Sequence, residues 1–214
     1  MKPADQLECP NCQTSGTHNI PKSIHVSLSP LEKARILDGS FFEWTCPSCG
    51  NRFFVDDVFL YCDDMQSYYL YLVPGYDQST MSIPSAFQSQ CDAKNGTLRV
   101  TSGYIDFIEK IRIFDAGLDD RIVEAMKAIY ASVYHQTEDE TVYNMIFEEV
   151  SPEGDLCFAV FLKDDDFSID VPADAYTQTA EDFSQLFTDE NKNAFLMIDQ
   201  NWLAQSLQSD DLPC

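Results

Sequence analysis

The chain has 214 residues and a formal charge of -23, from 13 Lys+Arg against 36 Asp+Glu, while 44% of its residues are hydrophobic. That apolar share is enough to bury a core, so disorder from low hydrophobicity is excluded, and the length fits one or two small domains. The opening residues carry no apolar h-region and no run of about 18 apolar residues occurs, so we expect a cytoplasmic chain with no export signal and no membrane span.

In chain order, the first feature is Cys9-Pro10-Asn11-Cys12, and the same spacing returns at Cys46-Pro47-Ser48-Cys49 after 33 intervening residues. Between them, Pro21 to Val26 reads as extended. Ser29-Pro30-Leu31-Glu32 then predicts a helix start, with serine at the N-cap, proline at N1 and glutamate closing a capping box. Leu31, Ala34 and Leu37 are expected on the buried side of this helix, and Gly39 is expected to end it. Phe41, Phe42 and Trp44 are assigned to packing beside the second pair.

Beyond Cys49, Phe53 to Leu60 and Ser67 to Val73 predict a hairpin, 76–96 a loop, and Thr97 to Thr101 a further strand. Two helices follow. The first, from Gly103 to Phe114, places Ile105, Ile108, Ile111 and Phe114 at helical spacing. The second, capped by Asp119, repeats Ile122, Met126, Ile129 and Val133. The acidic run Gln136 to Glu140 marks an expected boundary. After it come strands at Val142 to Val150 and Leu156 to Leu162, a short helix at Ala180 to Phe187 and a strand at Phe195 to Ile198. The fold class read from this order is α+β: a zinc-ribbon-like domain with an inserted helix, an antiparallel sheet and two packed helices over residues 1–135, then a small acidic α+β unit over 136–214.

The cysteines carry the chemistry. Of the eight, four are paired and Cys62, Cys91, Cys157 and Cys214 stand alone. A disulfide framework belongs to short exported chains, which this sequence does not resemble. Two residues between cysteines allow a tight turn to aim both sulfurs at one point, and two such turns supply the four thiolates of a tetrahedral zinc site. The expected ligands are Cys9, Cys12, Cys46 and Cys49. Four protein ligands leave no open position for water, so the Zn2+ is expected to be structural. Its binding, about 10 to 16 kcal/mol for small zinc domains, would rival the whole stability of a typical domain, about 5 to 15. The competing thiol-redox reading needs a CxxC at a helix N-terminus, whereas Asn51 to Val55 reads as strand.

Together with these pairs, the segments Pro30-Leu31-Glu32-Lys33, Leu37 to Phe41, Phe59 to Asp63, Tyr71 to Pro74 and Glu109 to Asp120 resemble the Cys-Pro-x-Cys (CpXC) domain family. The resemblance runs from about Leu7 to Ala131. Cys62 stands where the family pattern has histidine in a Tyr-His-Asp stretch, and no glycine follows Cys12. The resemblance implies a zinc-ribbon-like domain with four cysteine ligands, and it implies no activity.

Charge bears on partners. Residues 1 to 54 hold five basic and five acidic side chains, whereas 55 to 214 hold 8 basic and 31 acidic. A neutral ribbon on a strongly acidic body repels polyanions, so protein is the expected partner and the expected role is a scaffold or interaction module. A nucleic-acid-associated ribbon is the first alternative, and it would need a basic stripe that five offset cations do not supply. A hydrolase or thiol-redox enzyme is the second. Phosphate-loop, nucleophile-elbow and metalloprotease motifs are absent, so no catalytic residue is assigned. His18 is a minor alternative ligand. Asp56-Asp57, Asp63-Asp64 and Asp119-Asp120 are read as solvated or helix-capping acids, Asp164 to Asp166 as a solvated turn, and Cys62, Cys91 and Cys157 as small buried apolar residues.

Overall fold

The computed structural model of the chain describes residues 5–18, 20–83, 96–186 and 195–208. Cys91, Cys214 and the side chain of His18 lie outside the described residues. The elements in chain order are β1 (Asp5–Glu8), β2 (Ser15–His18), β3 (Ser23–His25), α1 (Pro30–Leu37), β4 (Glu43–Thr45), β5 (Arg52–Phe54), β6 (Phe59–Asp63), β7 (Tyr68–Leu72), β8 (Thr97–Thr101), α2 (Tyr104–Asp115), α3 (Asp120–Glu138), β9 (Asn144–Val150), β10 (Leu156–Phe161), β11 (Asp166–Val171), α4 (Ala173–Asp182) and α5 (Gln200–Gln208). This is a mixed α+β arrangement, as the sequence predicted.

The central sheet has order β3-β6-β7-β8, and it is mixed where an antiparallel sheet was expected: β6 and β7 are antiparallel, but both outer pairings are parallel. Both β6 and β7 are buried along their whole length. Because successive side chains of a strand point to opposite faces, each strand feeds two cores. Phe59, Tyr61, Tyr68, Leu70 and Leu72 meet Phe107, Ile108 and Ile111 of α2 on one face, while Leu60, Cys62, Tyr69 and Tyr71 meet Leu98 and Phe195 on the other. A second sheet, β11-β10-β9, is antiparallel throughout. Its Met145, Phe147, Phe158 and Val160 pack with Ile113, Ile122, Val123 and Met126. Helix α2 therefore contributes to the cores under both sheets, and α3 to the core under the second.

Several expectations are corrected here. Leu31 is 81% exposed and Ala34 is exposed, whereas Ile36 is the fully buried residue of α1. The Ser29 side chain makes no capping bond, although proline does occupy the first turn. Ile105 is exposed and Phe107 takes its place in the core. In α3 the stripe holds for Ile122 and Met126 but ends there, since Ile129 and Val133 are exposed. The predicted long strand after Cys49 is broken into β5 and β6, and the helix expected at Ala180 to Phe187 overlaps only the last turn of α4, which ends at Asp182; Ser184–Leu186 is a separate 3-10 turn and Phe187 lies outside the described residues. Leu196 makes only an isolated bridge with Arg99, and β11 and α5 were not foreseen. Cys62 is buried as expected, and Cys157 is only partly so. The acid pairs divide. Asp119 caps α3 by accepting from the Arg121 amide, but Asp63 and Asp120 are buried in ion pairs.

Candidate metal centre

Two short hairpins carry the paired cysteines. Strands β1 and β2 flank the first turn and β4 and β5 the second, each pair antiparallel. The turns share one backbone pattern. In the first, the Gln13 amide donates to the Cys9 carbonyl at 2.9 Å and the Cys9 amide to the Thr14 carbonyl at 3.1 Å. In the second, the Gly50 amide donates to the Cys46 carbonyl at 3.0 Å and the Cys46 amide to the Asn51 carbonyl at 2.8 Å. The residue after the second cysteine is left-handed in both, Gly50 with φ 71° and Gln13 with φ 60°. The first turn thus takes the same path without the glycine that would make it cheap.

The hairpins are held face to face by Trp44 on β4. Its indole Nε1 donates to the Thr17 carbonyl of β2 at 3.2 Å, and its ring lies 5.1 Å from that of Phe53. A Cβ at Gly16 would overlap the Trp44 ring, so this close approach requires glycine there. Trp44, Val55, Cys9 and Cys46 form a small core of their own, and Phe42 links the second hairpin to the main core by edge contacts with Phe41, Phe59 and Tyr104.

This packing brings all four predicted cysteines together. The Cys9 and Cys49 sulfurs are 3.7 Å apart, those of Cys12 and Cys46 are 3.6 Å apart, and all four lie within 4.8 Å of one another. None is in a disulfide. A tetrahedral ion with metal–sulfur bonds of about 2.3 Å places its sulfurs about 3.8 Å apart, so the donor set fits such an ion in distance and in number. Among the described residues this is the one cluster of three or more His, Cys, Asp or Glu side chains close enough to share an ion. The centre is a metal-site geometry.

The surroundings favour thiolates unevenly. Hydrogen bonds from the Thr14 hydroxyl and amide lower the Cys12 thiol to about 6, and Oγ1 of Thr14 lies 3.3 Å from its sulfur. The Asn51 amide and the Asn11 side chain, whose Nδ2 is 3.6 Å from the sulfur, lower Cys49. Burial raises Cys9 to about 11, against amides of Cys12 and Asn11 that pull the other way. A buried thiolate at Cys9 therefore calls for a positive charge beside it. Cys12 and Cys49 are exposed while Cys9 and Cys46 are buried, so each turn offers one sulfur to the interior and one to the surface. Both CxxC segments turn between strands, which sets them apart from the helix-initiating geometry of redox pairs.

Sequence reasoning missed Thr14, Asn11, Trp44's carbonyl partner and Gly16. One signal was available, the hydroxyl of Thr14 two positions after Cys12; at the second turn the corresponding Asn51 acts through its backbone amide, which its residue type does not announce.

Against known families, the model of the CpXC protein family matches residues 7–127. The chain belongs to the CpXC family. No curated protein and no solved structure matches it.

Proposed function

We propose that this CpXC chain is a zinc-stabilised protein-interaction module, in which Cys9, Cys12, Cys46 and Cys49 hold one structural Zn2+. The observation that carries the reading is the convergence of four sulfurs from two hairpins at tetrahedral spacing. A soft, all-sulfur tetrahedral set suits zinc or iron, and closure by four protein ligands suits a structural ion. The interaction role is supported by a cleft of about 550 Å3 between β5, the start of α2 and the outer face of β9 and β10. Its apolar rim is open: Phe54 is 40% exposed, Ile105 57% and Phe161 38%. Exposed apolar side chains gathered around a concavity mark a partner surface better than singly scattered ones. The net charge of -23 disfavours a nucleic acid there.

Metal analysis of protein purified natively in reductant is the test. One equivalent of zinc per chain is expected, with Cys46→Ser losing it. Compact protein with far less than one equivalent, or with iron in its place, overturns the zinc assignment. For the cleft, crosslinked partners of the wild type should be lost from a Phe54→Ala/Ile105→Ser variant that retains its zinc; unchanged partners would place the interaction elsewhere.

A further inference from the structure

A separate cavity of about 240 Å3 opens where the end of β8, the start of α2, the middle of α3 and the segment entering α5 meet. Beneath it lies a buried charge network. Lys127 Nζ is 3.1 Å from both Glu109 Oε2 and Glu124 Oε2, and Glu109 also accepts from the Phe147 amide at 2.7 Å. Asp120 is clasped by Arg99 through two hydrogen bonds of 2.8 and 2.9 Å, and Lys110 Nζ stands 3.2 Å from it. Three cations face three carboxylates, so the network is balanced and calls for no further ion.

Two polar groups on the wall are left over. Thr101 is 2% exposed and its hydroxyl has no hydrogen-bond partner among the described residues. Lys110 is equally buried; beyond its ion pair with Asp120 at 3.2 Å, its ammonium has no hydrogen-bond partner among the described residues, which leaves N–H groups to offer. Native interiors seldom leave such donors bare. Both line the cavity and both can give a hydrogen to an oxygen acceptor.

The mouth has the opposite character. Asp106 is exposed there and, among the described residues, has no ion-pair or hydrogen-bond partner. Desolvation pushes its carboxyl up, with Lys127 and Lys110 opposing and Glu124 and Asp199 adding to the rise. Those five charges therefore act on one space. Asp199 is partly committed, since its carboxylate caps α5 by accepting from the Trp202 amide at 2.8 Å. Asp106 is the mouth carboxylate with neither an ion pair nor a hydrogen-bond donor among the described residues.

A ligand complementary to this wall carries an oxygen acceptor at one end and an ammonium at the other. A metal ion does not fit, because the acids here do not bring three ligand atoms together as the cysteines do. A simple anion would satisfy the donors and be repelled by Asp106. The volume falls below the range of about 300 to 1,000 Å3 typical of drug-sized ligands, which limits the occupant to a small metabolite. We propose that this cavity binds a free α-amino acid, its carboxylate received by the Thr101 hydroxyl and the Lys110 ammonium and its ammonium by Asp106.

The test uses the full metal-loaded chain and the proteinogenic L-amino acids at millimolar concentration, read by thermal shift and then by calorimetry. At least one should raise the melting midpoint, and its N-acetyl and methyl ester forms should not. Thr101→Val keeps the shape of the side chain and removes the bare hydroxyl. It should melt at or above the unliganded wild type and bind at least about tenfold more weakly, as loss of a hydrogen bond to a charged group implies. Asp106→Asn, at an exposed position that does not threaten folding, should weaken binding similarly. A cavity holding water only, seen as no shift with any amino acid, overturns the proposal. So does a hit that binds both variants, or its N-acetyl form, as well as the wild type binds it. Neither result touches the cysteine centre, which shares no residue with this cavity.

Discussion

The hairpin region around the four cysteines and the helix pair α2/α3 are stabilised by different means. The hairpins are two-stranded and enclose only Cys9, Trp44, Cys46 and Val55 as buried apolar residues. An isolated two-stranded hairpin is marginal in water, so its order has to come from cross-links: the proposed metal coordination by the four sulfurs, the Trp44 bond to Thr17 and the Phe42 contacts. The helix pair draws on two large apolar cores, and that packing tolerates buried charges at Arg99, Glu109, Lys110, Asp120, Glu124 and Lys127. A small region gains stability from one ligand-dependent centre, whereas a large one can carry polar groups whose own pairing contributes specificity more than net stability.

Metal removal should separate the two most sharply. Trp44 lies in the hairpin core and Trp202, the other of the two tryptophans, lies in α5, so Trp202→Phe makes fluorescence report on the hairpins alone. A strong chelator at neutral pH should red-shift that emission, while the far-UV signal of the helices persists. The coordination free energy at stake is on the order of 10 kcal/mol, more than the hairpins can replace. Emission unchanged after proven metal loss would show that packing alone orders the hairpins and would erase the contrast.

Asp120→Asn probes the other region. Its carboxyl is fully buried; desolvation alone would raise its pKa, but the Arg99 and Lys110 charges outweigh this and hold it far below the usual carboxylate range. A carboxyl depressed on folding adds stability that is fully present above its unfolded value, about 3.9, and is lost as pH falls through the folded one. The wild type should therefore lose stability from about pH 4 downward more steeply than the variant. At neutral pH the substitution strands two buried cations and should cost about 3 to 5 kcal/mol in denaturant unfolding, with any metal bound at the cysteines unchanged. Equal stability, or an equal acid slope, would mean that this network is solvated and contributes little.

The contrast also explains what the sequence could reveal. Coordination is written locally: two CxxC spacings identify all four sulfurs, because a turn needs fixed separation to aim them. The continuous apolar and aromatic runs of β6 and β7 were readable for the same local reason, since both strands are buried throughout. Burial of α1 was misjudged because its first turn projects into solvent at Leu31, and only the sheet's position determines that Ile36 faces inward. β11 was missed because Asp166, Ser168 and Asp170 alternate with half-buried Phe167 and Ile169, a pattern that reads as polar until β10 is beside it. The buried charges were invisible because Arg99 and Asp120 are 21 positions apart, and an acid pair looks solvated until its partners are placed. Gln13 was read as a departure from the second turn, yet it takes the same left-handed conformation.

That last point gives the smallest and most specific comparison, between the two turns themselves. At Gly50 nothing lies within 4 Å of an added Cβ, so Gly50→Ala meets no clash and its cost is purely conformational. A left-handed L-residue costs about 1 to 2 kcal/mol, partly offset by the roughly 0.4 to 1 kcal/mol that alanine takes from the unfolded chain's entropy. The variant should lose about 1 kcal/mol of hairpin stability by the Trp44 signal. Gln13→Gly releases the same strain and should gain about half to one kcal/mol, so the two substitutions move the midpoint in opposite directions. If both destabilise, the Gln13 side chain does something at the first turn beyond tolerating its φ, and the two halves of the centre are not equivalent. If both are neutral, coordination dominates the turns so completely that their backbone preferences no longer register.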